Sequence, residues 1–228
     1  MSILNKLISL YQRHAARKMF SAWAESYDVD VADNHYSAAD RVAQESLRLL
    51  GQQTPQNPSI VDVGIGTGLL SQQIKEAYPC HITGLDFNAD MMTLCNARDT
   101  ADLLIACDAG RDIWPIMDQS SDMVVSAGLF EYLAPDMARH VLAQAFRVLK
   151  KDDFFIFTYM PRQREEKARI LWRGYSGTFL IFAYMREEME EMATAAGFTL
   201  ITHTAPFAGS IYEDGSSYDY ALIVLKKS

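Results

Sequence analysis

The stretch Ile60-Val-Asp62-Val-Gly64-Ile-Gly66-Thr-Gly68-Leu-Leu70 decides how the 228-residue chain is read. A short run of branched apolar residues, the pattern of a buried strand, gives way to a turn with glycine at every second position. A helical apolar pattern opens where the turn ends. Glycine lacks a Cβ and tolerates positive φ, so a ligand can lie directly against this backbone. The nicotinamide-dinucleotide fingerprint Gly-x-Gly-x-x-Gly requires glycine at position 69, and Leu69 stands there. The turn is of nucleotide-binding type but of another subclass.

Similar apolar runs lie on either side. They cover Ser59–Val63, His81–Leu85, Leu103–Ala106, Met123–Ser126, Phe154–Tyr159, Phe198–Thr202 and Tyr220–Leu225. Helical patterns fall between them, near 37–50, 68–78, 89–97, 136–149 and 185–196. The first five runs are almost continuously apolar, as in a parallel sheet covered on both faces. Strand–helix alternation then predicts an α/β fold with right-handed crossovers. The last two runs, joined without a helical pattern, predict an antiparallel pair at one end of the sheet. Residues 51–58 read as a polar linker.

Spacing extends the ligand argument. In open α/β sheets ligands bind outside the carboxyl ends of the strands. Asp86 ends the second run and is placed to accept both hydroxyls of a ribose. Phe87 and Met91 offer a flat and a polarizable surface for an adenine face, although methionine is as often core filler. Asp108 ends the third run and can accept an adenine amine or cap the next segment. Ser126-Ala127-Gly128-Leu129 brings small groups to the same edge. Asp62 is read either as a ligand-side carboxylate or as a brace for the glycine turn.

Composition narrows the partners. Hydrophobic residues are 49% and charged residues 22%, which suits a chain with a sizeable core. The net charge of −8 sets a nucleic-acid partner against overall repulsion. The basic residues Lys6, Arg13, Arg17 and Lys18 lie in an acid-free first 24 residues. The apolar positions 3, 4, 7, 8, 10 and 11 suit a helix packed on the domain, with a surface-membrane helix or a presequence as other readings of residues 1–20. No run is long enough to span a bilayer. Cys80, Cys95 and Cys107 read as buried fillers of a reducing compartment, without the spacing of a metal site. A cytoplasmic protein with no metal is expected.

Taken together, Asp62-Val-Gly64-Ile-Gly66-Thr-Gly68, Gly84-Leu-Asp86-Phe, Cys107-Asp108-Ala109 and Phe130-Glu-Tyr-Leu133 followed by Arg147-Val-Leu-Lys150 resemble the class I S-adenosylmethionine-dependent methyltransferases. The likeness covers about residues 20–200. It departs at Lys150-Lys151-Asp152-Asp153, where the family often has Lys-Pro-Gly-Gly, a turn remote from the cofactor. The resemblance implies a Rossmann-like, doubly wound sheet of seven strands, mostly parallel with the last antiparallel, and helices on both faces. It implies one methyltransferase domain over 1–228. Its parts are an N-terminal helical lid (1–50), a cofactor-binding core (59–160), a substrate-cover insertion (161–184), and a C-terminal helix and hairpin (185–228).

S-adenosyl-L-methionine is the cofactor so implied, with Tyr27, Asp62, Gly64, Gly66, Gly68, Asp86, Phe87, Met91, Asp108, Ala109, Ala127 and Leu129 around it. Tyr27 is the lid aromatic over the methionine end, and Trp23 reads as an anchor of the lid. Tyr36, Tyr132, Trp172 and Tyr175 are the acceptor-side candidates. His35, Tyr36, Glu131 and His140 lie in segments that reach the site, and none is assigned a catalytic role. Family members that methylate DNA bases carry Asn/Asp-Pro-Pro-aromatic where this chain has Gly128-Leu-Phe-Glu131, so a small, partly apolar or aromatic acceptor is expected. A regulatory, non-catalytic relative is the alternative. A dehydrogenase is disfavoured by Leu69.

Overall fold

The computed structural model describes residues 3–53, 56–174, 177–211, 215 and 217–228, without the side chains of 3–12, 53, 169–174 and 177–179. Three N-terminal helices, α1 (Ile3–Trp23), α2 (Tyr27–Asp33) and α3 (Ala38–Gln53), precede the first strand. The strands β1 (Ser59–Val63), β2 (His81–Asp86), β3 (Leu103–Ala106), β4 (Ser121–Ser126) and β5 (Leu149–Tyr159) follow. Helices α4 (Leu69–Ala77), α5 (Ala89–Arg98) and α6 (Pro135–Val148) form three of the crossovers, and a 3₁₀ turn, Phe130–Tyr132, precedes α6.

Local chemistry sets these boundaries. Gly68, at φ 89°, turns the chain into α4. The Asn88 side chain accepts the Asp90 and Met91 amides at the start of α5, a cap of about 1 kcal/mol. Pro135 opens α6, where a missing amide hydrogen costs nothing.

The main sheet runs β3-β2-β1-β4-β5-β10-β8, with β8 at Phe198–His203 and β10 at Ser217–Lys227. The first five strands in this path are parallel. β10 is antiparallel to both β5 and β8, so the expected end pair is present, with β10 inside and β8 at the edge. Helix α7 (Arg186–Ala195) leads into β8. Helices cover both faces, as the resemblance implied: Ile60, Ile82 and Met123 pack toward α3, α4 and α5, while Val61, Val63 and Val124 pack toward α6 and α7.

Two features were not expected. β9 (Phe207–Ile211) pairs with the first half of β10. The segment read as a cover forms an antiparallel hairpin, β6 (Arg169–Gly174) with β7 (Gly177–Phe182). The charged stretch before it is held by Arg162, which grips the Glu188 carboxylate at 2.8 and 2.9 Å. Among the described residues no helix is long and apolar enough to cross a membrane.

Candidate active site

Register decides which side chains meet. Asp62 lies opposite Gly84 and Val125, and Asp86 lies opposite Ala106, so the carboxyl ends of β1 to β4 finish level. A cavity of about 630 Å³ opens beyond them, in the range of small-molecule sites. Its wall includes Asp62, Gly64, Gly66, Asp86, Phe87 and Met91 from the first two strand ends. Asp108, Ala109, Ala127 and Leu129 continue it from the third and fourth. Tyr27, Tyr36 and Tyr132 also line the cavity.

Gly68 is behind this wall. A Cβ there would meet Thr100 and Cys95, so it serves the turn into α4. The Trp172 side chain and Tyr175 lie outside the described residues. Their hairpin reaches the cavity through Leu180 and Phe182.

The glycine turn is held by carboxylates. Asp86 Oδ2 accepts the Gly66 amide at 2.9 Å and Oδ1 accepts the Asn88 amide at 2.8 Å. Burial raises the Asp86 pKa, and these backbone donors oppose the shift. Asp62 accepts the Ser71 hydroxyl at 2.7 Å, and burial pushes its pKa up to about 7. That hydrogen bond makes Asp62 a brace between β1 and α4 that also faces the cavity. Among the described residues, no cluster of three or more His, Cys, Asp or Glu side chains has the arrangement of a metal site.

The N-terminal helices form the roof. Asp28 accepts the Thr67 hydroxyl at 2.7 Å and pairs with Arg98, which ties α2 to the glycine turn and sets Tyr27 over it. Trp23 packs edge-on against Tyr27 at 4.7 Å and donates to Asp30 at 2.6 Å, an anchor for that helix. Burial and the nearby Glu131, Asp28 and Asp86 carboxylates raise the Tyr27 pKa, so its phenol stays neutral.

Helix α1 adds residues that the sequence marked only as part of a basic, acid-free N-terminus. Arg17 lies 5.5 Å over the Phe87 ring, and its carbonyl accepts the Asn88 side-chain amide at 3.0 Å. Arg13 pairs with Asp108 at 3.0 Å, and Arg111 stands 3.6 Å from the same oxygen. Because Arg13 is 39% exposed, solvent screens the pair and its worth to folding is at most about 1 kcal/mol. Its main effect is on Asp108, whose oxygen it shares with any ligand donor. Arg13→Ala is therefore expected to strengthen S-adenosylhomocysteine binding two- to fivefold by calorimetry, and to move Tm by less than about 4 °C. Weaker binding would make Arg13 part of the ligand grip.

The geometry fits S-adenosylmethionine. A Cβ at Gly66 would find nothing closer than a backbone oxygen at 4.0 Å, so the open side of the turn is ligand space rather than protein. The Asp86 and Asp108 carboxylates and the aromatic rings of Tyr27, Tyr36 and Tyr132 line the same cavity as that turn.

Residues 60–152 match a family model described as a methyltransferase domain. The chain is 32% identical over 154 residues to a malonyl-[acyl-carrier protein] O-methyltransferase of Geobacter sulfurreducens, covering 65% of this chain and 54% of that protein. It is 27% identical over 181 residues to the protein of that name in Hahella chejuensis, covering 78% and 61%. The chain thus spans little more than half the length of these relatives.

Among solved structures it is similar to a 1,6-didemethyltoxoflavin-N1-methyltransferase of Burkholderia thailandensis with S-adenosylhomocysteine bound, at TM-score 0.68 and 18% identity, covering 95% and 89% of the two chains. It is also similar to a magnesium protoporphyrin IX methyltransferase of Synechocystis, at TM-score 0.70 and 12% identity, covering 95% and 100%. Residues 60–152 are thus similar to a methyltransferase domain, and the chain has the fold of the class I S-adenosylmethionine-dependent methyltransferases.

Proposed function

We propose that the protein transfers the methyl group of S-adenosyl-L-methionine to a small, partly apolar or aromatic molecule and releases S-adenosylhomocysteine. The observation that carries this reading is the open face of the Gly66 turn, which lines one cavity together with the Asp86 and Asp108 carboxylates. A sulfonium methyl is already activated, so the protein's task is alignment. Positioning of this kind accounts for about 7–11 kcal/mol of barrier in favourable intramolecular reactions.

In this reading Asp86 holds the ribose, Asp108 the adenine amine, and Phe87 with Met91 the adenine face. Tyr27 excludes water from the sulfonium. Tyr36 and Tyr132 flank the acceptor, and Leu180 and Phe182 of the cover hairpin give it an apolar wall. We take the chain as one functional domain over 1–228, with 1–50 as lid and 161–184 as acceptor cover. Its three free, buried cysteines suit a reducing compartment such as the cytoplasm.

The test is a calorimetric titration with S-adenosylmethionine, S-adenosylhomocysteine and NAD, followed by a metabolite-extract screen for S-adenosylhomocysteine release. Binding of both sulfur nucleotides with dissociation constants of about 1 μM–1 mM is expected, with no NAD binding. Binding of NAD alone would sink the proposal.

A further inference from the structure

The turn after β4 carries a carboxylate with no role in the cradle described above. Glu131 is 3% exposed. Its Oε1 accepts the Tyr220 hydroxyl at 2.6 Å, while its Oε2 is buried with no hydrogen-bond partner. An orphaned carboxylate oxygen is costly to bury, and such a group calls for an explanation in function.

Its position supplies one. Gly128 lines the cavity, and a Cβ there would collide with the Tyr36 hydroxyl and lie 3.7 Å from Glu131 Oε1. The carboxylate therefore stands one layer behind the wall, where the Tyr36 hydroxyl forms that wall. Tyr220 of β10 packs edge-on against Tyr36 at 6.0 Å. The groups that face this carboxylate are phenols: Tyr27 from α2, Tyr36 from the turn before α3 and Tyr220 from β10, with Tyr132 of the 3₁₀ turn beside Tyr36 and Tyr220. Beyond it, Asp28 and Asp86 act on Tyr27, and Asp40 acts on Tyr36. Burial raises the pKa of Tyr27, Tyr36 and Tyr220, so these phenols do not ionise near neutrality. Burial likewise pushes Glu131 up to about 7, which leaves it the one group of the set that can accept a proton there.

We propose that Glu131 receives the acceptor's proton through the Tyr36 hydroxyl, and so restricts the acceptor to an N–H or O–H nucleophile, an amine or a phenol rather than a carboxylate. This rests on the methyltransferase reading above. In the step, the acceptor heteroatom gives its proton to the Tyr36 oxygen as Tyr36 passes its own to Glu131 Oε2, across a hydrogen bond that is absent without the acceptor and forms as the acceptor seats. The heteroatom lone pair forms the bond to the methyl carbon. The carbon–sulfur bond breaks with its electron pair going to sulfur, so sulfonium becomes thioether while carboxylate becomes carboxylic acid. A carboxylate acceptor has no proton to lose and would be repelled by the buried charge. Glu131 is thus a positioning residue acting through Tyr36.

The test compares wild type, Glu131→Gln and Tyr36→Phe. Glutamine keeps the size of the side chain and an oxygen for Tyr220. Each protein, saturated with S-adenosylhomocysteine at pH 8, is titrated with benzylamine, p-cresol and 4-methylbenzoate. Wild type is expected to bind the first two at least tenfold more tightly than the benzoate. Glu131→Gln loses this preference with unchanged affinity for S-adenosylhomocysteine. With the metabolite extract, wild-type turnover rises through a limb near pH 7. Both variants lose about 100-fold and the limb, and Glu131→Asp restores part of the rate.

A wild-type preference for 4-methylbenzoate, no preference at all, or a Glu131→Gln protein with wild-type rate and limb would overturn the proposal. If wild type binds S-adenosylhomocysteine but releases none from the extract, the activity reading fails, and the head-group preference still decides the role of Glu131.

Discussion

Asp86→Ala is expected to weaken S-adenosylmethionine binding by about 100-fold or more, since hydrogen bonds to a charged group contribute about 1.5–3 kcal/mol each and a ribose offers two. Both Asp86 oxygens already accept backbone amides, at Gly66 and Asn88, which fixes the carboxylate plane. Each oxygen keeps a further lone pair for a ligand hydroxyl. The alanine variant loses the ligand bonds and also frees the Gly66 amide, so the glycine turn loosens with it. Asp86→Asn keeps one acceptor oxygen and falls between, at about tenfold, because an amide accepts more weakly than a carboxylate.

The pH response has a definite sign. Burial raises the Asp86 pKa, so the charged form needed for the ribose is lost while pH is still above the ordinary carboxylate range. Affinity should therefore fall as pH drops into the mildly acidic range. Calorimetry at several pH values checks this, and an alanine variant with wild-type affinity would remove Asp86 from the ribose site.

The parallel half of the sheet was legible because its strands are buried on both faces. Ile60 and Val61 point into opposite cores, and so each must be apolar. The candidate cradle was legible because β1, β2, β3 and β4 each end on, or run within two residues into, a glycine or an aspartate, a local pattern repeated four times. The β6–β7 hairpin was not, since its residues gain strand form by pairing with each other under α1, and charged residues precede it. The acid-free N-terminus was read as a cover, but its partner was invisible. Arg13 meets Asp108 across 95 residues, and Glu131 meets Tyr220 across 89. Pairs so remote leave no periodicity or spacing in the chain. They form because the fold brings the basic α1 onto an acidic strand end in one case and β10 beside the 3₁₀ turn in the other.

Gly66→Ala and Gly68→Ala separate ligand space from protein space within one turn. Both glycines have positive φ, 57° and 89°, so alanine costs about 1–2 kcal/mol of backbone strain at either. Beyond that they differ. The new methyl at Gly66 meets no side chain, so the fold should lose only about 2–8 °C in Tm, the strain alone. Yet the methyl projects where the ligand would lie against the turn, and a displacement of that size can cost about 100-fold. At Gly68 the methyl would strike Thr100 and sit 2.9 Å from Cys95 Sγ, both fully packed. Overpacking adds about 1–3 kcal/mol to the strain, and the folded fraction should still bind the nucleotide within a fewfold of wild type. Thermal denaturation and calorimetry on the two variants should therefore give crossed results: affinity lost with the fold kept at Gly66, and stability lost with affinity kept at Gly68. Parallel losses at both positions would mean that the turn is a structural hinge and that the ligand does not lie on it.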